Sequence, residues 1–394
     1  MAKYLSDVLD TTHFEKGYMN VIWAPCGSGK TTAAIEKIAP LASAPRKAIY
    51  LIDTKIGKER LSREDGLTTP CHFYSGSIAN NDGFFEGDKK IAVTTYAQFG
   101  YWCACYPNFA EKFEYIICDE PHNLVLFSEM GKKLGQNIDV HKVARSAICE
   151  AVKRGKVMVV GISATPKPLE KLACKLKEIP IDRSDLHHYE EKEIIKYASI
   201  NSILAQIPLG KRGGLYVKHV QPMLRFGAIL RERGFNPLLI WSLSYERKQM
   251  DAAQLAARQY IIENEAVPDE YDVFLFNATA ETSINIRSHM DFFIAHDTGE
   301  THITQSRGRY RGDLDTLYVY DRESGGGVVV PQEFIERDLF MDDLKLLRSV
   351  LDITKDKKGH IISIDDMLEL IDRCGYTCEK TTKNRRKCVI IHKD

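Results

Sequence analysis

Lys30, Asp119 and Glu120 are the residues of this sequence best suited to chemistry on a phosphate. Lys30 and Thr31 close the run Ala24-Pro25-Cys26-Gly27-Ser28-Gly29-Lys30-Thr31, with Thr32 after it, and Asp119-Glu120-Pro121-His122 follows an apolar run further on. Gly27 and Gly29 let the backbone curl so that successive amides face an anion, and a helix starting there adds its positive end. Lys30 would then reach the β and γ phosphates of a nucleoside triphosphate. Thr31 offers a hydroxyl ligand to Mg²⁺, which prefers octahedral oxygen coordination. Asp119 is the second metal candidate, and Glu120 the group to orient and deprotonate the attacking water. The rest of such catalysis is positioning and charge neutralisation. ATP and Mg²⁺ are therefore the expected cofactors. A glycine turn opening an ordinary helix and a solvated strand end are the plainer readings of the two runs, and each is weakened by the presence of the other.

Val21-Ile22-Trp23 forms a short apolar strand leading into the glycine loop, and 32–38 has helix-forming composition. That is the strand, loop and helix order a phosphate cradle needs. Tyr115-Ile116-Ile117-Cys118 reads as a buried parallel strand with both acids at its carboxyl end, where open α/β sheets place ligands. Similar runs at 48–52, 91–94 and 157–162 alternate with helical stretches and predict a mainly parallel sheet covered by helices. The charged stretch 182–192 reads as a connection. Runs at 214–217, 237–241, 273–276, 292–295 and 316–319 then predict a second α/β domain without a repeated phosphate loop. Ser324-Gly325-Gly326-Gly327 marks a break before a mixed, mostly helical tail.

The 394 residues suggest about two to three domains. Lys plus Arg and Asp plus Glu balance at 54 each, so any attraction to a polyanion must be local. The ten cysteines form no dense framework and Met1-Ala2-Lys3-Tyr4 is too polar for export, so a reducing cytoplasm is the expected compartment. No apolar run reaches the ~18 residues of a membrane-spanning helix, so no membrane role is expected.

Taken in order over roughly residues 15–320, the motifs resemble those of the superfamily-two helicases, particularly the Asp-Glu-x-His branch. Ala24 with Gly27, Gly29, Lys30 and Thr31 is similar to that family's first motif, which tolerates alanine at its first position. Val93-Thr94-Thr95-Tyr96-Ala97-Gln98 is similar to the strand end that touches the nucleic-acid backbone, implying such a contact for Thr94; a β-branched strand ending in a turn is the competing reading. Asp119-Glu120-Pro121-His122 resembles the second motif, which implies that His122 senses the phosphate. Ser163-Ala164-Thr165 resembles the third, whose hydroxyls bond back toward the carboxylates and couple hydrolysis to movement.

Asn277-Ala278-Thr279-Ala280-Glu281-Thr282-Ser283-Ile284-Asn285-Ile286 resembles the fifth motif, implying a nucleic-acid contact for Thr279, although Ser283 and Asn285 stand where glycine and aspartate are common. Gln305-Ser306-Arg307-Gly308-Arg309-Tyr310-Arg311 resembles the sixth, whose arginines reach the γ-phosphate. Gln305, Arg309 and Arg311 join the expected catalytic set, Arg311 by a shift because Gly312 occupies the usual place of the last arginine. Arg307 is a lesser stand-in, and a solvated basic face is the bland alternative. An arginine arriving from a second domain completes the charge-neutralising shell only on closure, which ties hydrolysis to motion.

The resemblance implies an α/β fold of two RecA-like P-loop domains with parallel sheets, over 1–190 and 191–325, with a small α+β module over 326–394. In that tail, helices over 334–350 and 365–373, a strand at 361–362 and two extended runs around Lys383-Asn384-Arg385-Arg386-Lys387 suggest a winged-helix-like unit. Its tip (Lys383, Arg385, Arg386) would press on phosphates; a solvated turn explains it equally. Phe99, Tyr101, Trp102, Tyr106 and Phe109 could stack on bases, though aromatic clusters are more often core. Cys374, Cys378, Cys388 and His392 are either a zinc set of irregular spacing or packing residues. Cys26 is either a reactive thiol at a helix start or a packing residue. The expected activity is an ATP-dependent helicase or translocase with nucleic acid, DNA before RNA, as partner and a monomer as core unit. An ATPase switch or loader that recruits a partner without unwinding, and a small-molecule kinase, are the rivals.

Overall fold

The computed structural model describes the chain except residues 1–2, 44, 54–56, 59–60, 63–66, 75–86, 130–137, 166, 198, 244, 246–247, 278–283, 297–298, 322–329, 331, 352–361, 373–375, 384–385 and 394. Two compact units, Met1–Tyr189 and Glu190–Asp394, divide it.

In the first unit, β1 (Met19–Trp23), β2 (Lys47–Ile52), β3 (Cys71–Phe73), β4 (Ile91–Thr95), β5 (Phe113–Asp119), β6 (Met158–Ser163) and β7 (Leu176–Glu178) form a single sheet. Its order is β3-β4-β2-β5-β6-β1-β7, with every pairing parallel. The apolar continuity of the inner strands follows from burial on both faces. Alternate side chains feed two cores. Ile49, Leu51, Ile116 and Val159 pack with residues of the helices Tyr96–Cys105 and Val140–Arg154, while Ala48, Tyr50, Ile117 and Val160 pack with Ala33, Ala34 and Ile38. Because β6 lies between β1 and β5, the carboxyl ends of three neighbouring strands bring the glycine loop, Ser163 and Asp119 together.

Two local features control that face. The segment after the glycine loop is not one α-helix. It opens as Lys30–Thr32 from Gly29 in the left-handed region (φ 80°), widens to a π-helix over Ala33–Ile38, and closes as a 3₁₀ turn, Ala39–Leu41, that contains Pro40. The helix Tyr96–Cys105, capped by Thr95, which accepts from the Gln98 N–H at 3.2 Å, crosses Val140–Arg154 at Gly100. A Cβ on Gly100 would lie 1.9 Å from the Val140 carbonyl oxygen, so glycine alone permits the crossing.

The second unit repeats the plan of a parallel sheet covered by helices. β8 (Glu191–Tyr197), β9 (Gly213–Val217), β10 (Pro237–Ile240), β11 (Val273–Phe276), β12 (Phe292–His296) and β13 (Leu314–Tyr320) order as β10-β11-β9-β12-β13-β8, all parallel. The three strands the sequence did not announce, β3, β7 and β8, are all edge strands. They are short or charged (Cys-His-Phe, Leu-Lys-Glu, Glu-Lys-Glu-Ile-Ile-Lys-Tyr), as edges that must resist pairing with other chains often are. The end of the stretch expected as a connection is therefore already the start of β8.

In the tail, β14 (Tyr376–Lys383) and β15 (Arg386–Lys393) form an antiparallel hairpin, and Val330, Phe334, Leu339, Leu347, Met367 and Ile391 belong to a separate core. The helix expected from 334 starts only at Met341, after a 3₁₀ turn over Gln332–Phe334. The next helix, Ile364–Asp372, carries a reciprocal cap in which Ser363 N–H donates to Asp366 and Asp366 N–H donates to the Ser363 hydroxyl at 3.0 Å. Ile362 is not in a strand; its carbonyl accepts from Arg348 at 2.8 Å. Ile361 and the glycine break at 324–327 lie outside the described residues.

Candidate nucleotide site

The glycine loop has the curl its residues predict. Gly27 and Gly29 take φ of 88° and 80°, values that favour glycine. Ala24 is enclosed and donates its N–H to the Ser163 carbonyl at 3.0 Å, fixing the loop to the end of β6. Ser28, also enclosed, donates its hydroxyl to the Pro25 carbonyl at 2.9 Å. Pro25, Cys26, Lys30 and Thr31 are partly open and Thr32 is exposed. Among the described residues Cys26 is a free thiol in this loop.

Lys30 and Glu120 meet at the centre. The Lys30 ammonium lies 2.8 Å from Glu120 Oε1, with both side chains 11% exposed. Burial opposes the lysine's charge, but Glu120 outweighs it and raises the pKa. Burial also opposes the Glu120 carboxylate, yet Lys30 and then His122 hold its pKa well below the usual range. The second carboxylate oxygen accepts from the Ser163 hydroxyl at 2.8 Å and from the Ala164 N–H at 3.2 Å. With its proton given to Glu120, Ser163 accepts from the Thr165 N–H at 3.0 Å and has a lone pair facing His122 Nδ1 at 3.1 Å. The Thr165 hydroxyl is 3.3 Å from that same nitrogen. The sequence motifs at 30, 120, 122, 163 and 165 are thus one hydrogen-bonded network. Glu120 takes a left-handed backbone (φ 44°), a strained conformation for a long side chain that turns the carboxylate back over the strand end.

Three features of this face involve residues to which the sequence assigned no role. The Tyr96 hydroxyl donates to the Asp119 carbonyl at 2.7 Å and holds the end of β5. Tyr50 on β2 is 1% exposed, and its oxygen lies close to Thr31 and Asp119 without completing a hydrogen bond of good geometry. Burial, then the Asp119 charge, pushes that phenol well above its ordinary pKa, so it stays a neutral donor. Trp23 donates its indole N–H to the Ala164 carbonyl at 3.1 Å and is covered by the Arg183 guanidinium at 3.8 Å. Only the strand register reveals Tyr50 as a site residue: it is paired with Ile117, which puts it on the face of β5 that Asp119 also uses.

In the second unit, Arg307 is a structural residue. Nearly buried, it donates to Glu191 at 2.6 Å and to the carbonyls of Tyr310 and Gly312 at 3.0 and 2.9 Å. Among the described residues Arg309 reaches Gln305 Oε1 alone, at 3.5 Å, and its Nε and the Gln305 Nε2 find no acceptor there. Ile286 pairs with Tyr310 through backbone bonds to Arg309 and Arg311, so the two arginines flank the bridge on one side of the strand. Gly312 is glycine for want of space: a Cβ would come within 2.6 Å of the Tyr310 hydroxyl.

Other expectations are corrected. Thr94 is wholly enclosed in β4, so it presents no surface to a nucleic acid. Phe99, Trp102 and Phe109 are core, whereas Tyr101 and Tyr106 are each 43% exposed. At the hairpin tip Lys383 is held by Asp338, which leaves the exposed Arg386; Thr279 and Arg385 lie outside the described residues. Cys374 lies outside them too. The hairpin register puts Cys378 on one face and Cys388 and His392 on the other, and His392 is bracketed by Glu336 and Glu379 at 2.9 and 3.4 Å. No group of metal-ligating His, Cys, Asp or Glu occurs among the described residues, which removes support for zinc there. Among them no helix is long and apolar enough to cross a membrane.

Residues 2–168 match the family model described as type III restriction enzyme, res subunit. No curated protein matches the chain by sequence. Among solved structures, helicase Lhr of Mycobacterium smegmatis, bound to ssDNA and AMP-PNP, is 12% identical with a TM-score of 0.48, over 79% of this chain and 44% of its own. A DEAD box protein from the hyperthermophile Methanococcus jannaschii is 14% identical with a TM-score of 0.39, over 85% of this chain and 86% of its own. This chain spans less than half the length of the Lhr chain.

Proposed function

We propose that this chain, whose residues 2–168 match the family model of the type III restriction enzyme res subunit and whose ordered motifs resemble those of the superfamily-two helicases, is a nucleic-acid-dependent ATP hydrolase that translocates on or unwinds DNA. The decisive observation is the enclosed Lys30, Glu120, Ser163, His122 network at the mouth of a glycine loop. Without nucleotide, Lys30 neutralises Glu120. A γ-phosphate offers Lys30 a more highly charged partner and frees Glu120 to take a proton from water, while the Ser163 hydroxyl and Ala164 N–H keep its other oxygen fixed. His122 and Thr165, on the same serine, are placed to register that change. The metal would be held by Thr31 and Asp119. Both offer oxygen donors, which fit Mg²⁺, whose bound charge would neutralise the phosphates.

From the second unit we assign Arg309, with Gln305 beside it, as the guanidinium for charge growing on the triphosphate. Its unpaired Nε supports this. Arg311 is the second candidate. The segment 326–394, with its own core, is read as an accessory module offering Arg386 to phosphates. DNA is preferred because the matching family is named for a restriction enzyme.

ATP turnover measured alone and with single-stranded DNA, duplex DNA and RNA tests the proposal. Stimulation by DNA, with strand displacement in a companion assay, is expected. Turnover indifferent to every polynucleotide would refute it. Stimulation without displacement would leave the switch or loader.

A further inference from the structure

β2 is apolar at Ala48, Ile49, Leu51 and Ile52, and Tyr50 interrupts it. The side chain is 1% exposed, packed beneath the segment that follows Thr31, and among the described residues its buried hydroxyl completes no hydrogen bond of good geometry. Such an oxygen is a cost that phenylalanine would avoid at the same volume. What it faces is therefore informative: the two groups beside it are Thr31 and Asp119, the proposed metal ligands of the nucleotide site.

We propose that Tyr50 is a positioning residue for the metal, through an ordered pair of hydrogen bonds made when nucleotide and Mg²⁺ enter. The Thr31 hydroxyl donates to the Tyr50 oxygen, which turns the Thr31 lone pairs toward the cation. The Tyr50 hydroxyl in turn donates to the Asp119 carboxylate and fixes which of its edges faces the metal. One phenol thus orients both ligands, as groups behind metal ligands commonly do. Tyr96 supports the same strand end by a different route, through the Asp119 carbonyl.

The inference rests on the nucleotide reading above, and calorimetric titration separates the two. A non-hydrolysable ATP analogue is titrated into full-length wild type, Tyr50→Phe and Lys30→Ala, in EDTA and with Mg²⁺, and the melting temperature of each nucleotide-free protein is recorded. For Tyr50→Phe, affinity in EDTA should equal wild type. The gain in affinity on adding Mg²⁺ should be about five- to tenfold smaller, the scale of one or two hydrogen bonds. Its melting temperature should be equal or higher, because an unpaired hydroxyl has gone. A full Mg²⁺ gain in Tyr50→Phe overturns the proposal, as does an equal loss with and without metal, or a lowered melting temperature. Wild type that binds no nucleotide, or binds it no better than Lys30→Ala, overturns the nucleotide reading itself and this inference with it.

Discussion

Glu120 sits in a conformation that its side chain would not choose, and the partners that hold it there define its chemistry. Lys30 is its counter-ion, so removing Lys30 leaves a buried, unpaired carboxylate. Lys30→Met should destabilise the first unit by ~3–5 kcal/mol at neutral pH, and adding Glu120→Gln should restore most of it, both read from urea unfolding. The pH dependence has a definite sign. In wild type the carboxyl pKa is lowered, so the pair's contribution is complete above the unfolded value, about 4.5, and is lost as pH falls through the lowered one. In Lys30→Met the Ser163, Ala164 and His122 contacts remain, but the largest influence lowering the carboxyl pKa is gone while burial still raises it, so the pKa rises from its wild-type position and the defect should be largest near neutrality and shrink on acidification. Glu120→Gln by itself should keep nucleotide affinity and lose turnover by ~10²–10⁴-fold, the usual worth of a general base. Lys30, Glu120, His122 and Ser163 were legible because their spacing is a pattern along the chain. Tyr50 and Tyr96 were not, since only strand pairing and a helix start bring them to Asp119.

Elements decide which arginine is free to act. Arg307 ties β8 to the turn before β13, through Glu191 and two carbonyls, whereas Arg309 has spare donors. Arg307→Met should therefore cost the second unit ~3–5 kcal/mol of stability. Arg309→Ala should change stability by less than about 0.5 kcal/mol while slowing hydrolysis more than it weakens nucleotide binding; parallel unfolding and kinetic measurements check both. At the hairpin, His392 is raised above its usual 6.5 by Glu336 first and Glu379 second. A raised pKa means stability fully present below the unfolded value and lost as pH rises through the folded one. The tail should loosen as pH rises above about 6.5 and through the raised value, and His392→Gln should flatten that profile in hydrogen exchange. The inner strands were readable to within a few residues from their apolar runs. The edges β3, β7 and β8 were not, because a strand buried along few of its residues carries little hydrophobic signal. The left-handed turn at Glu120 and the π-helical widening after Thr32 depend on tertiary contacts that composition does not encode.

For the molecule as a whole, charge balance means that any hold on a polynucleotide comes from local groups. Stimulation of turnover by single-stranded DNA should therefore weaken with salt. The half-stimulating concentration should rise with a logarithmic slope of about 0.7 per phosphate neutralised, measured between ~50 and ~200 mM salt; a flat response would deny a backbone-gripping contact. The tight helix crossing at Gly100 was not legible in the sequence, because a lone glycine inside a helix usually just weakens it. Gly100 belongs to the same helix as Tyr96, one turn along. Any methyl there must push that helix away from its neighbour and tug on the hydroxyl that steadies the end of β5. A substitution remote from the reactants would thus act as a thermal fuse, tolerable in the cold and fatal to turnover on warming, which makes position 100 the place to engineer a conditional allele.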